Sequence, residues 1–217
     1  MKVGTDGVLL GAWCPLPTSG SILDIGTGSG LIALMLAQRT SDAQIEGVDI
    51  DAAAIEQAAE NFAASPWSDR LHARHISVQE LSKGAHERYE LIVSNPPYFV
   101  DSLKNPDQHR KTARHTDTLS YADLIRCAAQ LLAKDGTLAL ILPAEAKESI
   151  LSEAAQNGLY PSLLTQVYSK PGKPLKRILI ALRPNYQEAP KTENFYIESD
   201  SAPRSPEYAA MTNEFYL

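Results

Sequence analysis

Asn95-Pro96-Pro97-Tyr98 combines residue types whose order suits one particular piece of chemistry. An exocyclic or amide NH2 is a poor nucleophile because its lone pair is delocalised into the neighbouring π-system. The Asn95 side-chain oxygen and the Pro96 carbonyl can accept its two N–H bonds, drawing the nitrogen toward sp3 with its lone pair aimed at an electrophile. The two prolines lock φ and so hold that carbonyl in place. Tyr98, with Phe99 beside it, offers a ring on which a flipped-out planar base can stack. No strong general base is required, because the proton becomes acidic only after the nitrogen has been alkylated. The competing use of a lone Asn-Pro is a structural turn. Average composition makes Asn-Pro-Pro-Tyr a chance event of roughly one in a thousand for a chain of this length.

A second constellation lies upstream. Asp24-Ile25-Gly26-Thr27-Gly28-Ser29-Gly30 ends an apolar strand pattern and opens a helical one. Glycines there let the backbone turn tightly and approach a ligand, while the helix start presents free N–H groups. The dinucleotide fingerprint would need glycine at position 31, where Leu31 stands, so a nicotinamide dinucleotide is disfavoured. Asp49 ends the next strand pattern, at the distance from the glycine turn where an acid can take both ribose hydroxyls; a nucleoside ligand fits. Asp24 serves either that ligand or the turn itself.

The elements that must carry these residues alternate in type. Ser21–Ile25, Ile45–Asp49, Leu71–Val78, Glu90–Ser94, Thr137–Leu142, Ser162–Tyr168 and Arg177–Leu182 read as strands. Leu31–Gln38, the face Ile55, Ala58, Ala59 and Phe62, Tyr121–Ala133 and Ala144–Asn157 read as helices, with Gly158 as a C-cap. The expectation is a single α/β domain over residues 1–217 with a doubly wound, mostly parallel sheet and helices on both faces. Residues 1–20 form an N-terminal segment, 101–118 a long loop without periodicity, and 185–217 a tail that packs back on the domain. In such a sheet ligands sit outside the carboxyl ends of the strands, so the glycine turn, Asp49 and Asn95–Tyr98 should border one crevice.

Composition sets the limits. With 217 residues, 20 Lys+Arg against 26 Asp+Glu and a net charge of −6, the chain is not basic all over, so a nucleic-acid partner must be held by local patches. Two such patches exist: Lys104, Arg110, Lys111 and Arg114 follow the Asn-Pro-Pro-Tyr segment, and Lys170, Lys173, Lys176, Arg177 and Arg183 occupy a stretch without an acid. A solvated loop and a charged edge strand are the bland reading of those runs. Cys14 and Cys127 form no metal-binding or disulfide pattern, which points to reduced thiols in the cytoplasm and to no metal. No apolar run is long enough to span a bilayer. Oligomeric state is not written in the sequence.

Together DIGTGSG, the acid of GVDID and NPPY resemble class I S-adenosylmethionine-dependent methyltransferases that modify amino nitrogens. Within that superfamily the opening Met1–Trp13 (MKVGTDGVLLGAW), NPPYF, Ala113-Arg114-His115 and the ending Tyr208–Leu217 resemble the bacterial tRNA1(Val) adenine-37 N6-methyltransferases, over nearly the whole chain. The resemblance implies a Rossmann-like sheet of seven strands, the last antiparallel, and S-adenosyl-L-methionine as cofactor. It implies tRNA as partner and methyl transfer to the N6 amine of an adenosine. Asn95, Pro96, Pro97 and Tyr98 would form the catalytic loop. Thr5, Asp24, Gly26, Gly28, Gly30, Asp49 and Asn95 would hold the cofactor. Many relatives place an acid after the third strand, where this chain has Ser77 and Val78, whose side chain or backbone would substitute. Tyr98, Phe99, Lys104, Arg110, Lys111, Arg114, Lys173, Lys176 and Arg177 would contact the RNA. Members of the family usually carry further residues before this opening. A glutamine N5-methyltransferase of the release-factor type, presenting the same NH2 geometry, and a non-catalytic RNA-binding relative are the alternatives.

Overall fold

Thr137–Leu142 is apolar at nearly every position because both sides of its strand are covered. In the computed structural model, which describes residues 4–84, 88–97, 119–186 and 188–215, that run belongs to Leu132–Pro143 (β5) near the middle of an eight-stranded sheet. The other strands are Ser21–Ile25 (β1), Gln44–Asp49 (β2), Leu71–His75 (β3), Tyr89–Ser94 (β4), Tyr160–Tyr168 (β6), Leu175–Arg183 (β7) and Lys191–Tyr196 (β8). Their order is β3-β2-β1-β4-β5-β7-β6-β8. Strands β1 to β5 pair in parallel, β7 runs antiparallel between β5 and β6, and β8 joins β6 in parallel.

Alternate residues of the central strands feed two cores. Leu138, Leu140, Leu142, Ile178 and Ile180 face one, covered by Val78–Gly84 (α4), Tyr121–Leu131 (α5) and Lys147–Gln156 (α6). Leu91, Val93, Ala139, Ile141 and Leu179 face the other, beneath Thr5–Trp13 (α1), Leu31–Arg39 (α2), Ala52–Ala63 (α3) and Pro206–Thr212 (α7). Helix α1 lies directly on α2: a Cβ on Gly11 would come within 2.8 Å of Met35 Sδ, so glycine there is what permits the close approach. Its last turn is held by Arg39, whose guanidinium donates to the carbonyls of Gly11 and Cys14, and by Trp13 Nε1, which donates to buried Thr165 Oγ1 at 2.9 Å. Cys14 and Cys127 are free and buried.

Two expectations are corrected. The sheet has eight strands, not seven, because residues 191–196, read as polar tail, form β8 beside β6; the seventh strand is the antiparallel one, as expected. The alternation of Leu71–Val78 is strand only to His75, because Ser77 caps a helix that begins at Val78. The Ser77 hydroxyl accepts from the Glu80 N–H and donates to the Glu80 carboxylate, an N-cap that outweighs the apolar alternation of Ile76 and Val78. The tail does pack back, with Tyr208 buried against Phe195 and Ser205 capping α7.

Candidate active site

Strand β1 pairs with β2 on one side and β4 on the other, so the chain order reverses at β1 and the carboxyl ends of these strands splay into a crevice. Ile25 stands opposite Val48 and Ser94, and the buried Ser94 hydroxyl donates to the Ile25 carbonyl at 2.8 Å, tying β4 to β1 where both end. The next residue on β4 is Asn95; Pro96 behind it is buried and Pro97 exposed. On β1 the next residues are the glycine turn. Sequence-distant pieces thus meet at one edge.

The turn has the backbone its glycines allow: Gly26, Gly28 and Gly30 have φ of +72°, +56° and +83°. Gly30 needs glycine twice over, because a Cβ there would overlap the Phe62 ring. A Cβ on Gly26 would meet nothing within 4 Å, so its face looks into open space. Asp49 binds the turn to β2: its carboxylate accepts from the Gly28 N–H at 3.0 Å and from the Asp51 N–H at 3.1 Å. Both oxygens retain lone pairs for hydroxyl donors.

Asp24 lies fully buried under the turn. Its Oδ2 accepts from the Thr27 hydroxyl at 2.8 Å, bracing the turn, while Oδ1 has no hydrogen-bond partner among the described residues. Burial, reinforced by the Asp49 carboxylate, pushes its carboxyl up to about 7.

Ile50, next to Asp49, is 52% exposed, whereas Ile elsewhere in the sheet is buried. Sequence reasoning passed over it; the signal was an aliphatic residue between two acids at a strand end. Ser77 and Val78 lie at the same edge, with the Ser77 hydroxyl committed to the α4 cap and the Val78 side chain buried, leaving backbone. Thr5 begins α1 and is exposed. Lys170, Lys173 and Lys176 lie on or beside the β6–β7 connection, again at the carboxyl edge, because Tyr168 of β6 pairs with Leu175 of β7. Arg177 is ion-paired with Asp6 of α1 at 2.9 Å. Tyr98, Phe99, Lys104, Arg110, Lys111 and Arg114 fall outside the described residues.

The methyltransferase small domain model matches residues 6–157. A tRNA1(Val) (adenine(37)-N6)-methyltransferase of Parabacteroides distasonis is 48% identical over 217 residues, covering 100% of this chain and 91% of the relative. The chain belongs to that methyltransferase family. The same enzyme of Flavobacterium johnsoniae is 44% identical over 100% of this chain and 93% of its own. Among solved structures, a predicted O-methyltransferase from Agrobacterium tumefaciens superposes with a TM-score of 0.73 at 18% identity, covering 96% of each chain, and a geranyl diphosphate methyltransferase in complex with SAM superposes at 0.57 and 14%, covering 82% of this chain and 83% of that one. These two establish the methyltransferase fold; the sequence relatives establish the family. The glycine turn, Asp49 and Asn95-Pro96 of this methyltransferase therefore occupy the edge at which its fold binds ligands.

Proposed function

We propose that this enzyme transfers a methyl group from S-adenosyl-L-methionine to the N6 amine of adenosine 37 in tRNA1(Val). The observation that carries the reading is the placement of Asn95-Pro96 at the end of β4, one strand from the glycine turn and two from Asp49. The cofactor fits the residues present. Asp49 receives the ribose hydroxyls, Gly26, Gly28 and Gly30 let the backbone pass close to it, and Asp24 Oδ1 faces its cationic amino-acid end. Ile50 and the Ser77–Val78 backbone border its adenine, and Thr5 closes the near side. When bound, it supplies a methyl group on a positively charged sulfur.

The chain's own contribution is positioning. The Asn95 side-chain oxygen and the Pro96 carbonyl take the two N–H bonds of the target amine, so its lone pair points out of the base plane toward the cofactor site. The proline rings prevent the carbonyl from turning away, and holding two reactants in register is worth several orders of magnitude by itself. Tyr98 and Phe99 stack on the extruded adenine. Lys104, Arg110, Lys111 and Arg114 together with Lys170, Lys173 and Lys176 neutralise tRNA phosphates, so a protein of net charge −6 binds a polyanion through local patches. The enzyme works on tRNA in the cytoplasm as one domain, 1–217. None of its described helices is long and apolar enough to cross a membrane, and the described residues contain no His, Cys, Asp and Glu group able to hold a metal ion.

The test is transfer of a labelled methyl from S-adenosylmethionine to total tRNA, protein and duplex DNA in parallel. Label in tRNA alone, digested to N6-methyladenosine, is expected; label in a protein glutamine would favour the glutamine enzyme instead, and label nowhere would favour the non-catalytic relative.

A further inference from the structure

The ion pair between Arg177 and Asp6 joins residues 171 apart in sequence, and its surroundings say what it holds. Because β7 is antiparallel, its first residues lie at the carboxyl edge: Arg177 stands opposite Pro143, the last residue of β5. Arg177 Nε donates to Asp6 Oδ2 at 2.9 Å, with side-chain exposures of 31% and 24%, so the pair is shielded more than a surface pair. Asp6 is in the first turn of α1. The adjacent Gly7 lies against the first turn of α2, where an added Cβ would sit 3.4 Å from Leu31 Cδ2 and 3.9 Å from Ile32 Cγ1. Leu31 follows directly on Gly30. The line from Arg177 through Asp6, Gly7 and Leu31 thus ends at the glycine turn.

The two ends of α1 differ. Its last turn is anchored through backbone carbonyls by Arg39 and through Trp13 to β6, at the far side from the crevice. Its first turn has no side-chain cap: Gly4 precedes it, and Val8 N–H reaches the Gly4 carbonyl at 3.3 Å. Seating that turn therefore draws on a charged tie from the sheet. Arg177 has further neighbours of consequence. Tyr121, the first residue of α5, feels both Glu145, just beyond β5, and Arg177; burial and Glu145 raise its hydroxyl, Arg177 lowers it. Arg177 thus sits where the α1 start, the end of β5 and the start of α5 converge.

We propose that Arg177 is a positioning residue for the cofactor: its ion pair with Asp6 seats the first turn of α1 against the start of α2 and so keeps Thr5 and the glycine turn in binding geometry. This rests on the cofactor assignment above. It also removes Arg177 from the cations that grip tRNA phosphates, while Lys170, Lys173 and Lys176 stay among them.

The experiment measures S-adenosylhomocysteine affinity of the full chain by calorimetry, thermal unfolding, and the salt dependence of tRNA binding. Arg177→Met and Asp6→Asn are each expected to weaken S-adenosylhomocysteine binding roughly five- to twenty-fold, the range of coupling expected for a half-buried pair. Arg177→Lys is expected to recover part of that loss, and Asp6→Arg combined with Arg177→Asp to recover more than either reversal alone. The salt slope of tRNA binding is expected to stay unchanged in Arg177→Met. Affinity within twofold of wild type in Arg177→Met overturns the proposal. So does a salt slope smaller by about 0.9 with cofactor affinity intact, which makes Arg177 a phosphate contact after all. A wild-type chain that binds no S-adenosylhomocysteine overturns the cofactor assignment itself, an outcome distinct from failure of the variants alone.

Discussion

The two edges of the sheet are built on opposite rules. At the amino edge, polar groups are consumed by structure. Buried Arg70, just before β3, donates to the carbonyls of Ala37, Thr40 and Ala43 at 2.9, 3.1 and 3.0 Å, closing the end of α2 onto the start of β2. A cavity of about 490 Å³ lies at the same edge, and three of its charged side chains are already engaged: Glu90 accepts from the Ser21 N–H at 2.6 Å, Arg183 donates to Thr137 at 2.9 Å and Asp135 accepts from Asn185 at 3.1 Å. At the carboxyl edge the accounting is left open among the described residues, with a buried carboxyl oxygen lacking a partner, three left-handed glycines and a half-exposed isoleucine. Substitutions at the first edge should therefore be read out as stability and at the second as binding or turnover.

The sharpest test of that division is Asn95→Ala. It is expected to lower methyl transfer by about two to four orders of magnitude while S-adenosylhomocysteine affinity stays almost intact, because the lost acceptor is aligned mainly in the transition state. Turnover near wild type would remove Asn95 from the catalytic loop. Next comes Asp49→Ala. Charge-assisted bonds to two ribose hydroxyls are worth about 2–4 kcal/mol, so calorimetry should show affinity falling by roughly 30- to 1,000-fold. An unchanged dissociation constant would move the ribose contact to Asp51.

The amino edge supplies the contrast. Arg70→Met leaves three carbonyls without their donor and should cost about 2–3 kcal/mol, lowering the unfolding temperature by roughly 5–10 °C. Activity per folded molecule should be preserved; a loss of cofactor affinity without a loss of stability would break the comparison.

Asp24 gives an effect read out through pH. Its carboxyl titrates near 7 in the folded chain and at 3.8 in an ordinary setting, so between those values the unfolded chain has lost a proton that the folded chain keeps. Stability contributed by this group therefore falls as pH rises through that window, by up to about 1.4 kcal/mol per pH unit, and levels off above 7. Asp24→Asn should flatten this dependence in thermal unfolding measured from pH 4 to 8. Cofactor affinity should rise from pH 6 to 8 in the wild type, as the carboxylate forms beneath a cationic ligand, and stay level in the variant. Identical pH profiles for the two proteins would mean that Asp24 does not titrate there.

Much of the candidate site was legible because its signals are local. The spacing of Gly26, Gly28 and Gly30, an acid at the end of the following strand, and Asn-Pro-Pro-Tyr after the fourth each depend on a few consecutive residues whose backbone demands are their own. Ser77-Val78-Gln79-Glu80 was equally local, yet the apolar alternation of Ile76 and Val78 imitated a strand and hid the Ser77 N-cap; Val78 is buried on the α4 face instead. Ile50 was harder, since exposure of one aliphatic residue depends on what fails to cover it.

By itself the sequence determined the alternation of strands and helices, the two core faces of the central strands and the residues of the glycine turn, because periodicity and turn chemistry act over a handful of neighbours. Which strand lies beside which was decided only in three dimensions. The pattern Arg177–Leu182 states that β7 is buried on both faces, and nothing in it states that β7 enters between β5 and β6 or that residues 191–196 then complete the sheet edge. That choice in turn placed Arg177 beside Asp6 rather than in solvent, since a charge run names its partners only once another segment has been brought against it. The meeting of Asp49, Gly28 and Asn95 at one edge belongs to the same class of fact: their chemistry was written locally, and parallel pairing of β2, β1 and β4 brought their ends together.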